Sequence, residues 1–120
     1  MSRNSLLRRA AEVPGRSRSH RRSRDQEKEL ATRVGGKCTP GSGSKSVKGD
    51  VRVKGVIRIE AKTTKNKSFS VTQDMLDKIE EAALAHGELP IIVVEFNDGN
   101  GRKLREVAVV PTYVLSELGL

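Results

Sequence analysis

Between Gly49 and Lys62 hydrophobic and polar residues alternate in two short runs, broken at Lys54-Gly55. This pattern predicts a β-hairpin. In the second run Ile57, Ile59 and Ala61 fall on one strand face, and Arg58, Glu60 and Lys62 fall on the other. Upstream, Glu27, Leu30, Ala31 and Val34 have helical spacing, with Asp25 placed to cap the start and Gly35-Gly36 to end the helix. Lys37 to Thr39 reads as a short strand, and residues 40–46 as a polar loop rich in Gly and Ser.

Downstream of the hairpin, residues 63–68 form a basic connection. Ser70-Val71-Thr72-Gln73 then has the capping-box pattern that opens a helix. Val71, Met75, Ile79 and Ala82 or Ala83 make the apolar stripe of that helix, and Gly87 closes it. Leu89 to Phe96 is an apolar run of strand length, as expected of a strand buried on both faces. Asn97 to Gly101 is a hairpin turn and Arg105 to Val110 the return strand. A short terminal helix begins after Pro111-Thr112. Helix, strand, hairpin, helix, strand, strand, helix is the order of an α/β fold with a mixed sheet.

Charge changes the picture at the N-terminus. The chain has 120 residues and a formal net charge of +8, which points to a polyanionic partner. Residues 1–26 hold eight Arg against Glu12 and Asp25, a net of 8 − 2 = +6, so +2 remains for the rest. We therefore expect a basic, flexible tail over residues 1–24 and a single domain over 25–120. The Arg- and Ser-rich, acid-poor tail also fits a transit peptide. Without an apolar run of membrane-spanning length or a signal-peptide core, the expected compartment is the cytoplasm and no membrane is involved. Aromatic residues make up 2% of the chain, too few for base-stacking platforms. Phosphate contact by Lys and Arg is the more natural mode of binding nucleic acid.

The candidate chemistry lies on the hairpin. Glu60 and Lys62 project side by side, and the turn can bring Asp50 next to them. Two converging carboxylates suit a hard divalent cation such as Mg²⁺, and the lysine can orient a water beside it. Charges alternating with aliphatics are also what any half-exposed strand shows. Competing chemistries find little support. Cys38 is the single cysteine, read as a buried or idle thiol, and His20 and His86 lie far apart in sequence. The 40–46 loop lacks the spacing of a Walker phosphate loop.

Taken in order, Glu27-Lys28-Glu29-Leu30, Ser42-Gly43-Ser44, Asp50, Glu60-Ala61-Lys62 and Gln73 resemble the PD-(D/E)XK nuclease superfamily, and more narrowly the archaeal-type Holliday junction resolvases with their phage-encoded relatives. The resemblance covers roughly residues 25–96. It implies a restriction-endonuclease-like mixed central β-sheet flanked by α-helices. It also implies a Mg²⁺-dependent endonuclease, with Mn²⁺ as substitute, that makes paired incisions in four-way DNA junctions as a homodimer. Asp50, Glu60 and the Ala61 carbonyl would hold the metal, Glu27 would complete the acidic cluster, and Lys62 would position the attacking water. Ser42 or Ser44 would touch the scissile phosphate, and Lys45, Lys48, Arg52, Lys65, Lys67 and Gln73 would line the DNA path. Two features depart from the family pattern. Gly49 stands where the motif has proline, and the span from Glu27 to the Ser-Gly-Ser loop is short, which makes Glu29 the fallback for Glu27. The alternatives are a single-strand or flap-nicking nuclease of the same superfamily, or a basic nucleic-acid-binding protein without catalysis.

Overall fold

A computed structural model describes residues 18–39 and 50–120 of the chain. It is an α/β fold: a five-stranded mixed sheet with helices on both faces. Helix α1 spans Arg18–Val34, and strands β1, Lys37–Cys38, and β2, Val51–Val53, follow. Strand β3 is Ile57–Thr64, and helix α2, Gln73–Leu84, connects it to β4, Leu89–Asn97. Strand β5, Lys103–Val109, and the short helix α3, Tyr113–Glu117, complete the chain.

The strands lie in chain order across the sheet, β1-β2-β3-β4-β5. All neighbours are antiparallel except β3 and β4, which run parallel because α2 carries the chain back between them. Register follows the hydrophobic alternation. Val51 stands opposite Ile59, and Ile59 opposite Ile91, placing them on the face that α1 covers. Leu30 seals that layer, with Val51, Ile59 and Val93 buried beneath it. The even-numbered residues of β4, Ile92 and Val94, point the other way and meet Ile79 of α2. Strand β4 is therefore buried on both faces, as its unbroken apolar run requires. Tyr113 Oη donates to Glu80 at 2.8 Å and ties α3 to α2.

Two turns depend on glycine. Gly55 takes φ +76° in the β2–β3 turn, a left-handed conformation open to glycine at little cost. At Gly36, just past α1, a Cβ would collide with the Arg52 carbonyl, so β1 can approach β2 only with glycine there.

Three local expectations need correction. Helix α1 begins at Arg18 rather than at an Asp25 cap, so residues 18–24 form its first turns and do not belong to a flexible tail. The reason is tertiary: Arg22 and Ser23 reach the sheet from those turns. The cap of α2 is Thr72, whose hydroxyl accepts from the Met75 N–H at 3.2 Å, which leaves Gln73 as the first helical residue. Cys38 is exposed, since it lies on the edge strand β1. Residues 1–17, with most of the basic tail, lie outside the described residues, as do Ser42, Ser44, Lys45 and Lys48.

Candidate functional site

The hairpin places Asp50 one residue before β2. Its backbone continues the ladder, with its N–H donating to the Ile59 carbonyl at 2.7 Å and its carbonyl accepting from Thr39 at 2.9 Å. By this register Asp50 shares a sheet face with Arg52 and with Glu60 of β3. The Asp50 carboxylate turns toward β3 and accepts the Ala61 N–H through Oδ2 at 2.8 Å. The N–H and C=O of one strand residue leave it on the same side, so the Ala61 carbonyl also faces the Asp50 flank. Lys62 Nζ lies 3.1 Å from Glu60 Oε2, with both side chains partly exposed. Asp50, Glu60, the Ala61 carbonyl and Lys62 thus gather where the β2–β3 ladder ends.

Glu27 reaches this region from the other side of the sheet. It is half-buried on α1, over the face opposite to Glu60. Its link to Asp50 shows at Cys38. Burial pushes that thiol up, the Glu27 charge pushes it further, Lys28 opposes, and Asp50 adds to the rise. Both carboxylates therefore act on the β1 edge. Among the described residues, no three His, Cys, Asp or Glu side chains form a metal-sized cluster. Glu29, the fallback, is committed elsewhere. It accepts from Arg22 at 2.7 Å, and that hydrogen bond holds its carboxyl below the ordinary range.

The residues expected along a nucleic-acid path are scattered. Lys65 and Lys67 are exposed on the β3–α2 connection, beside an open groove of about 650 Å³ that Phe96, Leu104 and Arg105 also line. Gln73 is exposed at the start of α2. Arg52 does not point outward alone: its guanidinium donates to Glu88 through Nε at 3.0 Å and through Nη2.

Sequence reasoning missed the buried charges. Glu88, fully buried, takes Arg52, Arg58 Nε at 2.9 Å and the Gly55 N–H at 2.9 Å. Burial works to raise its carboxyl, but the Gly55 N–H and the two guanidiniums outweigh it and hold the group below its ordinary value. Glu95, also fully buried, takes both Nε and Nη2 of Arg22, at 2.7 and 2.6 Å. Gln26 is buried under α1 and donates to the Lys62 carbonyl at 2.9 Å, holding the backbone that carries the candidate lysine. Its Oε1 is buried with no hydrogen-bond partner among the described residues. One signal was available: an acid inside the apolar run Leu89–Phe96 calls for a buried cation.

Comparison with protein-family models, with curated proteins and with solved structures found no match. No helix among the described residues is long and apolar enough to cross a membrane.

Proposed function

We propose that this chain is a Mg²⁺-dependent DNA endonuclease that acts on branched DNA as a homodimer. One observation carries the reading: Asp50 and Glu60-Ala61-Lys62, far from a unique tripeptide in sequence, meet at one ladder end with an acid, a carbonyl and an ammonium side by side. The donor set is all oxygen, which suits Mg²⁺, an ion commonly held by one or two carboxylates together with substrate phosphates. A pair of acids therefore fits the ion without a third. Bound by Asp50, Glu60 and the Ala61 carbonyl, Mg²⁺ would acidify a water and neutralise charge developing on a phosphodiester. Lys62 holds and orients a water by hydrogen bonding and faces the phosphate with its positive charge. Gln26 fixes the strand under that lysine. The net charge of +8 supports a nucleic-acid substrate. The scarcity of aromatics supports selection by backbone geometry rather than by base.

The second reading is a basic nucleic-acid-binding protein without catalysis, in which the Lys62–Glu60 pair is an ordinary surface ion pair. Purified protein incubated with a four-way junction and a matched duplex, with and without Mg²⁺, separates the two. Paired, symmetric incision of the junction only with Mg²⁺ or Mn²⁺ is expected. Binding without cutting under every metal condition sinks the nuclease reading. Cutting of single strands or flaps by a monomer leaves the nicking nuclease.

A further inference from the structure

Strand pairing places Lys37, Arg52 and Arg58 in one row across β1, β2 and β3, on the same sheet face as Asp50 and Glu60. The acids occupy the neighbouring row, two residues along the strands, or about 6.7 Å away. Two of the three cations are held in place. Arg58 is buried against Glu88, and Arg52 spends Nε and Nη2 on the same carboxylate. Arg52 Nη1 takes no part in the hydrogen bonds to Glu88. The same residue lines a cavity of about 450 Å³ between the Gly35-Gly36 corner, β1 and the end of β2. Lys37 and Lys54 line it too, and neither has an ion-pair partner among the described residues. Three basic residues thus border one concavity, one of them oriented by a buried acid.

We propose that this cavity binds a phosphodiester phosphate, the one adjoining the phosphate that sits at Asp50 and Glu60. For the identity of the anion the proposal rests on the nuclease reading; the basic border of the cavity does not. The row of cations and the row of acids then divide the work. The first grips a flanking phosphate and sets the register of the strand, and the second receives the bond to be broken. Arg is suited to the grip because its planar fork matches phosphate oxygens, and Glu88 fixes the plane of that fork before any ligand arrives.

The test uses the two lysines, which are exposed, rather than Arg52, whose loss would leave Glu88 short of a partner. Fluorescence anisotropy of a labelled junction and a labelled duplex is recorded in EDTA, so that cutting plays no part, from 50 to 200 mM salt. The full chain is compared with the pair Lys37→Ala/Lys54→Ala and with Lys37→Arg/Lys54→Arg. Each cation removed from a phosphate flattens the salt slope by about 0.9, so with two removed the parent should lose about 12-fold more affinity than the alanine pair across this fourfold range. The arginine pair should keep the parent's slope. Equal slopes for parent and alanine pair, or a parent that binds no DNA, overturn the site. A flattened slope in a protein that never cuts with Mg²⁺ keeps the phosphate site and removes the nuclease reading alone.

Discussion

Two kinds of carboxylate share this sheet. Glu88 and Glu95 are fully buried, and guanidiniums from other elements hold each one. Asp50 and Glu60 sit at the ladder end, where Asp50 accepts the Ala61 N–H and Glu60 pairs with the half-exposed Lys62. The same side chain thus has opposite duties. Where cations of the fold surround it, an acid binds α1 or the hairpin to the sheet. At the ladder end the setting differs: Asp50 is buried and accepts the Ala61 N–H, while Glu60 is partly exposed beside the Lys62 ammonium. The contrast is in what holds each charge: guanidiniums for the first pair, a backbone N–H and an ammonium for the second.

The sharpest way to break this contrast is to neutralise the ladder-end acids. Asp50→Asn and Glu60→Gln should each lower Mg²⁺-dependent cutting on the order of a thousandfold or more, about 4 kcal/mol of transition-state stabilisation. Junction affinity and melting temperature should change little. A gel assay beside thermal denaturation reads both, and loss of fold together with loss of cutting would place these acids with the structural pair.

The buried acids should behave in the opposite way. Glu88→Gln removes the buried carboxylate that Arg52 and Arg58 bind, and Arg22→Ala removes the guanidinium that binds the buried Glu95. Each should cost about 3–4 kcal/mol of stability, measurable by urea denaturation. An effect under about 1 kcal/mol would mean that these clusters do not hold the fold.

Acid should then separate the two groups. The Glu88 carboxyl is held below its unfolded value, so its contribution is complete above the unfolded range near pH 4.3. That contribution is lost as pH falls through the lower folded value. The stability gap between the parent and Glu88→Gln should therefore be constant at neutral pH and shrink only below about pH 4. A gap that already closes above pH 5 would contradict the lowered pKa. The smallest effect belongs to Glu29→Gln. Glu29 shares Arg22 with Glu95 but is itself 47% exposed, so its loss should cost under about 1 kcal/mol in the same denaturation series.

The contrast also explains what the sequence displays and what it hides. The β2–β3 hairpin is legible because alternation and a glycine at the turn are local signals, and β4 because its apolar run has strand length. The candidate residues Asp50, Glu60 and Lys62 come with the hairpin, since strand periodicity and register settle which of them share a face. The start of α1 is hidden for the same physical reason. Its sheet-facing side carries Arg22, Ser23 and Gln26, polar residues whose inward direction depends on Glu95, Thr63 and the Lys62 carbonyl, far away in the chain. No apolar stripe marks a helix face built from salt bridges and amide contacts. The place of Glu27 suffers likewise: a helical position can be read from spacing, but not the side of the sheet on which that helix lies.

The chain-ordered sheet also bears on how the protein assembles in time. Every ladder joins strands adjacent in sequence, with the β2–β3 and β4–β5 connections short and α2 carrying the chain between β3 and β4. Short loops close at small entropic cost, and chains rich in local pairings fold fast. The β2–β3 and β4–β5 hairpins can therefore form early. The Arg22–Glu95 tie, spanning 73 residues, belongs to the late docking of α1. Contacts made after the rate-limiting step govern escape from the native state rather than arrival at it. Stopped-flow measurements on Arg22→Ala should accordingly find refolding near the parent rate and unfolding accelerated. A slowed refolding limb would instead put α1 in the folding nucleus. The basic first turns of the helix would then be held in place before the sheet beneath them is complete.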